Sequence, residues 1–548
     1  MWPRRSSARK SGAGLQGQAR VADFNRNVRL LILAALVVVA GWLRFTAAGF
    51  GLPQEFRPDE EQLVPRALDL DTGWNPHYAI YPAAQIYLVR GVLRACATLK
   101  GESGNLHAIF GSNEASAFLI ARELSAAMGT VTAAAIYLAA LPICGPAGAL
   151  ASAAVVAFST LHVRESKFAK PEVPAALWVA LAMVMMMRIV YRGRRSDYAL
   201  AGLFSGLAAA THYPAALVVA GVFAAHLEAR CRENRRLIGA LGDGRIYLAG
   251  AITIVTFCCA TPYLFLDWSQ TVKNYTVDYR GIHAFSGLPE ASGWWWLVRR
   301  MMPDSFGITL LLFLLATLAY AILHPRPGVT SLMAFIAIDF ASLLIGSPPL
   351  MYRYLVTPLL PMAVLAGVAI GDLTGFASAR LGATRGGLLG TVLMGVILAP
   401  SLIHDRQLNR LLLQTDTRTF AGQWIAAHIV PGSNVAATNI MDVNYGKPLL
   451  PAGCVVGLMQ DPAVLRAENV WWVISDSLPE MRRYSPGPSA AQLAALQSGA
   501  DLWYDINPIK DGAPAPIFDR NDAFYAPIQH ITSMTRPGPR IRIWRIRP

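Results

Sequence analysis

The sequence has few cysteines and few acidic residues, and each shortage excludes a class of protein. Its six cysteines, among 548 residues, lack the spacing of a zinc site or a disulfide framework, and most lie in or beside apolar segments. They are therefore interpreted as small core residues, and redox chemistry is not expected. Acidic residues number 34 against 48 lysines and arginines, but the arginines gather in short segments between apolar blocks. The net charge of +14 therefore does not indicate a partner nucleic acid.

Charge of either sign is also scarce, since 15% of the residues are charged and 54% are hydrophobic. The apolar residues form blocks of about 15 to 25 residues, the length at which a helix crosses a bilayer. The sequence therefore predicts a polytopic α-helical membrane protein. We expect eleven spans, at residues 28–48, 117–141, 147–161, 173–190, 199–211, 215–229, 246–264, 306–322, 329–346, 354–370 and 386–403.

The orientation in the membrane depends on the segment "YAIYPAAQIYLVRGVLRACATL", residues 78–99. Residues 1–27 lack a secretory cleavage signal and are interpreted as a cytoplasmic tail. If residues 78–99 cross the membrane, the arginine-rich loops at 191–198 and 229–245 lie outside. If residues 78–99 lie along the membrane, both loops are cytoplasmic, as the positive-inside rule requires. We therefore predict an interfacial helix there.

With this orientation, the polar segments converge on the outer face of the plasma (inner) membrane. These segments are 56–82, 161–174, 211–214, 347–354 and the long loop 261–304. The inner loops carry little besides arginine. Residues 28–403 are therefore predicted to form a transmembrane domain with a binding or reaction site at the outer leaflet.

Residues 404–548 have a normal polar share and differ in pattern from the rest of the chain. A helical pattern at "TRTFAGQWIAAHI" is followed by a "PGS" turn and by probable strands "VAAT", "VWWVIS" and "RIRIWRI". The sequence predicts a small C-terminal α/β domain here, on the extracytoplasmic side.

The stretch "FRPDEEQLVP" places three carboxylates, Asp59, Glu60 and Glu61, just after the first span. One interpretation is a helix start, in which acids complement the positive end of the helix dipole. Glu172, after Pro171, has the same interpretation. The other is functional, because carboxylates at the edge of a membrane cavity are costly to hold without a purpose.

A sugar linked through phosphate to a membrane lipid already has a good leaving group, so its transfer needs only one base. Asp59 is the candidate base. Cations would stabilise the charge on the departing phosphate. The candidates on the outer side are Arg164, Lys167, Lys170, His212, Lys273, Arg280, Arg299, Arg300 and Arg353. Arg353 is best placed, at the outer end of a span, and its planar fork suits phosphate oxygens.

Several candidates also have structural interpretations. Arg299 and Arg300 follow "GWWWL", a pattern typical of an aromatic belt at the membrane interface. The histidines His162, His212 and His283 equally suit hydrogen bonds within loops. The tyrosines Tyr81, Tyr352 and Tyr354 equally suit packing or orienting a sugar.

The order of the polar and apolar motifs resembles that of a known family. The motifs are "RPDEEQLVPRALDL", "NPHYAIYPAAQIYLV", "FLIARELSAAMGTVTAAAIYLAAL", "HVRESKFAKPEVPAALW", "AGLFSGLAAATHYPAALVV" and "YRYLVTPLLPMAVLAG". The series covers residues 28–403 and is similar to the GT-C glycosyltransferases. Within them it more closely resembles the branch of protein O-mannosyltransferases and bacterial lipid A aminoarabinose transferases.

This resemblance implies a GT-C-like transmembrane catalytic domain that transfers a sugar from a polyprenyl-phosphate carrier to an acceptor, with inversion at the anomeric carbon. It implies that Asp59 and Glu60 are the acidic pair of the first outer loop, with Asp59 as base or acceptor-orienting group. Glu172 stands at the second acidic position, where Asp is common. His212 before Tyr213 stands where many relatives have Lys before Tyr, and a neutral histidine binds phosphate less strongly.

The sequence thus predicts a glycosyltransferase with catalytic residues Asp59, Glu60 and Glu172. The predicted donor-binding residues are Arg353, His212, Tyr213, Lys170, Arg164, His162, Tyr81 and Tyr352. The expected partners are a polyprenyl-phosphate-sugar donor, membrane lipids and a lipid, glycan or protein acceptor. No metal site is predicted and no cofactor is required, although paired carboxylates also suit a divalent cation.

Two other functions remain open. A transporter or flippase of a lipid-linked saccharide would carry charges or broken helices near mid-membrane, often in repeated halves, and the sequence shows neither. A membrane-anchored binding protein would use the C-terminal domain to bind an envelope component.

Overall fold

The computed structural model describes residues 12–233, 237–279, 293–345, 350–438, 447–476, 489–519 and 524–548. Helices dominate the part before residue 413. They are α1 (Gly12–Phe45), α2 (Val64–Asp69), α3 (Ala84–Leu99), α4 (Leu106–Phe110), α5 (Glu114–Phe158), α6 (Thr160–Glu165), α7 (Glu172–Tyr191), α8 (Arg195–Thr211), α9 (Val218–Arg232), α10 (Leu237–Leu241), α11 (Gly244–Ala260), α12 (Tyr263–Leu266), α13 (Trp268–Lys273), α14 (Gly293–Trp296), α15 (Met302–Phe306), α16 (Ile308–Leu323), α17 (Val329–Leu344), α18 (Val356–Leu381) and α19 (Ala383–Leu412).

In the described ranges, each of the eleven predicted spans lies mostly within one helix, and two of them share α5. In the described ranges, six helical stretches are long and apolar enough to cross a membrane, or up to seven if the bent pair Gly293–Phe306 and Ile308–Leu323 counts as one span. The six are Arg26–Phe45, Leu106–Phe158, Glu172–Tyr191, Tyr213–Arg232, Tyr352–Leu381 and Ala383–His428. The polytopic helical fold is therefore confirmed, while the number of eleven crossings stays a prediction.

Helix α5 contains two of the predicted spans. Its backbone is non-helical at Gly145, where φ is 66°. Glycine occupies this left-handed conformation without steric cost, whereas other residues rarely do. The break separates predicted spans 117–141 and 147–161, so the sequence boundary between them matches a real change of direction in the chain.

The predicted interfacial segment forms α3. Its two arginines both contact one carboxylate, since Arg90 Nη2 lies 2.5 Å and Arg94 Nη2 3.1 Å from Asp71 Oδ1. The apolar face of α3 packs with α2, α4 and the start of α5 in a cluster of its own. These contacts fix α3 beside the loop that follows α1.

Close helix packing depends on small residues where α5 crosses α18. A Cβ atom added at Gly367 would lie 2.4 Å from the Gly148 carbonyl oxygen, and one at Gly148 would lie 2.3 Å from the Gly367 oxygen. Small residues at such crossings let helix backbones approach in membranes. The two helices form much of the main core together with α1 and α7.

The C-terminal part is an α/β domain, as predicted. Its strands are β1 (Asn434–Ala437), β2 (Val455–Leu458), β3 (Trp472–Asp476), β4 (Ala500–Ile506) and β5 (Ile541–Ile546), in the order β2-β1-β3-β5-β4. Strand β1 is parallel to β2 and β3, whereas β5 is antiparallel to β3 and β4. Its helices are α20 (Thr417–His428), α21 (Pro462–Ala467) and α22 (Ala490–Gly499).

A third hydrophobic cluster joins this domain to the loops after α1 and α6. Phe50, Phe56 and Phe168 from the loops pack with Phe518 and Phe524 from the C-terminal domain. The predicted domain boundary at residue 404 lies within α19, which runs without interruption from the membrane part into this cluster. The C-terminal domain is therefore packed onto the loop side of the helical domain.

We expect Gly367→Ala to destabilise the protein, because the new methyl group would force α5 and α18 apart. Overpacking of this kind typically costs about 1–3 kcal/mol. Gly375→Ala in the same helix is the matched control, since a Cβ there meets nothing within 4 Å. Thermal unfolding in detergent would measure both. Equal melting temperatures for the two variants would contradict the close crossing.

Candidate active site

Asp59 lies in the loop between α1 and α2, in an uncommon backbone conformation. Its φ is 76°, in the left-handed region. Non-glycine residues adopt this region rarely, and such residues concentrate at functional sites. The three residues after it, Glu60–Gln62, form a short 3-10 turn. The side chains of Asp59 and Glu60 consequently reach different partners.

Three side chains from distant segments meet at one oxygen of Asp59. Lys170 Nζ lies 2.9 Å and Arg353 Nη2 lies 3.2 Å from Oδ2. The Tyr81 hydroxyl donates to the same oxygen at 3.4 Å. Lys170, Arg353 and Tyr81 follow α6, α17 and α2, whereas Asp59 follows α1, so the fold brings together residues from four separate segments.

Arg353 also reaches a second carboxylate. Its Nε lies 2.9 Å from Glu172 Oε1, at the start of α7. We call Asp59, Lys170, Glu172 and Arg353 the charge cluster. Asp59 is 27% exposed, whereas the side chains of the other three are at most 5% exposed. The cluster carries two positive and two negative groups and opens to its surroundings at Asp59.

Two neutral side chains flank the cluster. The rings of Tyr81 and His212 lie 6.4 Å apart between centroids. Burial lowers the pKa of His212 to about 4, although Glu172 opposes this shift. Burial also raises the pKa of the Tyr81 hydroxyl. Both side chains are therefore uncharged at neutral pH.

Glu60 does not join the cluster. Its carboxylate accepts from Arg122 Nε at 2.9 Å, from Arg122 Nη2 at 2.6 Å and from the Ala169 amide at 2.7 Å. Arg122 Nη1 donates further to the carbonyls of Ala48 and Phe50. Both partners of the ion pair are fully buried. Glu60 therefore ties the loop after α1 to α5 and to the segment after α6.

Two predicted tyrosines lie at the edges of the site and hold its loops. The Tyr213 hydroxyl donates to the Ala79 carbonyl at 2.9 Å, beside Tyr81. The Tyr352 hydroxyl donates to Asp304 at 2.8 Å, and its amide donates to Asp519 at 3.0 Å. Through these contacts the two residues orient the segments that carry Tyr81 and Arg353.

Two other predicted residues point elsewhere. His162 Nδ1 lies 3.0 Å from Arg44 Nη2, at the end of α1. The Arg164 guanidinium lies 5.2 Å from the centre of the Phe524 ring, under the C-terminal domain. These contacts are with interior groups that do not belong to the charge cluster.

The remaining candidate cations lie apart. Lys167 donates to the Thr46 carbonyl at 2.8 Å and caps the carboxyl end of α1. The Arg299 guanidinium lies 5.1 Å from the centre of the Trp295 ring. Lys273 and Arg300 are exposed. Arg280 and His283 lie outside the described residues.

Sequence reasoning missed Arg122, the partner of Glu60. The available signal was an arginine inside the apolar run "FLIARELSAAMG", since a charge within a span usually has a buried partner. Arg57 and Phe524 were also missed, because their contacts join segments that no local pattern connects.

No metal site is evident in the described ranges. They contain no group of three His, Cys, Asp or Glu side chains arranged to hold an ion. The divalent cation considered from the sequence stays a prediction.

Comparison with solved structures shows which folds the chain resembles. An oligosaccharyltransferase from Archaeoglobus fulgidus, tethered to an acceptor peptide, is 11% identical, with a TM-score of 0.50 over 93% of this chain and 77% of that one. ArnT from Cupriavidus metallidurans, bound to undecaprenyl phosphate, is 11% identical, with a TM-score of 0.49 over 94% and 97%. The S. cerevisiae Pmt1-Pmt2 complex bound to its sugar donor is 15% identical, with a TM-score of 0.35 over 43% and 34%.

Part of the sequence matches a family model. Residues 105–265 match the model described as dolichyl-phosphate-mannose-protein mannosyltransferase. No curated protein matches the chain. The family match, together with the fold, confirms the resemblance to the GT-C superfamily of glycosyltransferases.

We expect Glu60→Gln to lower the stability of the protein strongly, because it leaves the buried Arg122 charge uncompensated. Breaking such a pair from one side costs about 3–5 kcal/mol. Denaturant unfolding in detergent would measure the loss. Arg547→Ala, which breaks an ion pair with both partners more than half exposed, is the control and should change little. A Glu60→Gln protein as stable as that control would refute the structural role.

Proposed function

We propose that this protein transfers a sugar from a polyprenyl-phosphate-linked donor to an acceptor, at the outer face of the plasma membrane and with inversion at the anomeric carbon. The observation that carries the proposal is the partly exposed carboxylate of Asp59 between the buried cations Lys170 and Arg353. A base beside two cations is the minimum set for displacing a phosphate with a hydroxyl group.

The donor phosphate is assigned to Lys170 and Arg353. In the unliganded cluster these cations are balanced by Asp59 and Glu172, so an incoming phosphate competes with Asp59 for them. Phosphate oxygens suit the fork of Arg353, and the ammonium of Lys170 adds a point charge. Displacement from the cations leaves the Asp59 carboxylate available to accept a hydrogen bond from the acceptor hydroxyl.

The reaction then proceeds in one displacement. The acceptor oxygen attacks the anomeric carbon, its proton passes to Asp59, and the bond between that carbon and the phosphate oxygen breaks. The electron pair goes to the phosphate, where Lys170 and Arg353 stabilise the charge. Attack from the side opposite the phosphate inverts the anomeric carbon. No metal is needed, because the two side chains supply the positive charge.

The other predicted residues have supporting roles in this proposal. Glu172 holds Arg353 in place through their ion pair. The Tyr81 hydroxyl, next to Asp59 Oδ2, orients the acceptor or the sugar. The neutral His212 donates a ring N–H to a phosphate oxygen. Glu60 is assigned a positioning role, since its oxygens are bonded to Arg122 and Ala169.

The outer-face location rests on the distribution of arginine. The loops around Arg192–Arg195 and Arg230–Arg245 lie at the opposite helix ends from the charge cluster, and the positive-inside rule assigns those ends to the cytoplasm. The C-terminal domain packs on the cluster side and is therefore extracytoplasmic in this proposal. The sugar is a hexose or pentose, and the acceptor is a lipid, a glycan or a protein.

We expect Asp59→Asn to reduce sugar transfer by a factor of about 100 or more, because general base catalysis typically contributes that much. Transfer of labelled sugar from membranes of producing cells to envelope lipids, glycans and proteins would be measured. Asp69→Asn, ten residues further on at the end of α2 and largely exposed beside His107, is the matched control and should keep full activity.

Full activity in Asp59→Asn would show that Asp59 is not the base. Movement of a lipid-linked saccharide across vesicle membranes without transfer, by the wild-type protein, would instead favour a flippase.

A further inference from the structure

Phe524, in the C-terminal domain, packs against the two loops that carry Asp59 and Lys170 of the charge cluster. It is 1% exposed. Its ring meets Phe168 edge to face, with centroids 4.7 Å apart, and meets Phe50 at 5.5 Å. Both partners belong to the loops after α1 and α6. The C-terminal domain thus contributes one ring to an aromatic group that it shares with these two loops.

The same ring helps to enclose a buried guanidinium. The Arg57 Cζ atom lies 5.0 Å from the centre of the Phe524 ring and 4.8 Å from that of Phe168. Arg57 is fully buried, and its Nη2 lies 3.6 Å from Glu165 Oε2. Cations over aromatic faces interact more strongly when they are removed from water. Arg57 and the two rings therefore form one rigid unit.

This unit lies next to two members of the charge cluster in the sequence. Arg57 precedes Asp59 by two residues, and Phe168 precedes Lys170 by two residues. Two residues span at most about 7 Å of extended chain. The Arg57 stack therefore sets the separation of the two segments whose side chains form the 2.9 Å contact between Asp59 and Lys170.

Further contacts from the C-terminal domain act on the same segments. The Arg418 guanidinium lies 3.9 Å from the centre of the Phe56 ring, three residues before Asp59. The Asp519 carboxylate accepts the Tyr352 amide at 3.0 Å, next to Arg353. Each of the segments that carry Asp59, Lys170 and Arg353 is thus held by at least one residue of this domain.

We propose that Phe524 is a positioning residue of the site, and that the C-terminal domain completes the site through it by fixing Asp59 against Lys170. The role as a donor-binding site rests on the proposed function. The positioning itself does not, because it concerns the geometry of the unliganded protein.

The test compares Phe524→Leu with Phe420→Leu. Phe420 is the matched control, because its ring also lies beside a guanidinium, with Arg536 Cζ 4.6 Å from the ring centre. Unlike the contact between Phe524 and Arg57, this contact lies within the C-terminal domain, since Phe420 is in α20. Two quantities would be measured in detergent: the rate of reductive methylation of Lys170, resolved by peptide mass spectrometry, and the affinity for undecaprenyl phosphate. Exposed Lys273 provides the internal reference for methylation.

In Phe524→Leu we expect Lys170 to react about fivefold faster or more, and undecaprenyl phosphate to bind about fivefold more weakly or worse, as loss of a buried cation–π contact allows. Phe420→Leu should change neither quantity, even if both variants melt at lower temperature. Phe524→Tyr, which keeps the ring, should restore the protection of Lys170.

If Phe524→Leu does not fold, Arg57→Lys replaces it, because it keeps the charge and removes the planar group from between the rings. The same increase in Lys170 reactivity is expected. Unchanged Lys170 reactivity in a folded Phe524→Leu or Arg57→Lys protein would overturn the positioning role. If Lys170 loses its protection in the variant but the wild type binds no undecaprenyl phosphate, the proposed function is overturned and the positioning role stands.

Discussion

The ion pairs of Asp59 with Lys170 and Arg353 are the contacts on which the candidate site depends. Two cations buried at the ends of membrane helices are costly unless anions accompany them. Asp59 and Glu172 supply that charge in the unliganded protein. Because Asp59 is the exposed member, an anion that enters the cluster meets this carboxylate first and can replace it. In the proposed function, the same ion pairs that stabilise the buried cations also prepare them for a phosphate.

The loops around the charge cluster are held in place by contacts that lie outside the cluster. The buried pair of Glu60 and Arg122 joins the loop after α1 to α5, and the Arg57 stack joins that loop to the C-terminal domain. The adjacent residues Asp59 and Glu60 therefore have different roles. Asp59 is the exposed member of the charge cluster, whereas Glu60 holds the loop in place. In this respect the C-terminal domain is part of the site's framework rather than an appended module.

Much of this arrangement follows from the sequence, and the rest depends on contacts between distant segments. Counting charges across spans was enough to group Asp59, Lys170, Glu172 and Arg353 on one face. The separate direction of Glu60 depends on the left-handed backbone of Asp59, which the motif does not reveal. Strands β2 and β4 were missed because their sequences, "VVGL" and "ADLWYDI", lack a clear alternation of apolar and polar residues bounded by turn signals. Phe524 had no local signal, because its partners lie several hundred residues earlier.

The central claim is that Asp59 neutralises the two cations until a phosphate replaces it. The most direct measurement is the affinity of Asp59→Asn for undecaprenyl phosphate in detergent, compared with the wild type. An asparagine neither repels the phosphate nor competes for Lys170 and Arg353, so we predict tighter binding, by about tenfold, which corresponds to about 1.4 kcal/mol. Equal or weaker binding by Asp59→Asn would contradict the account.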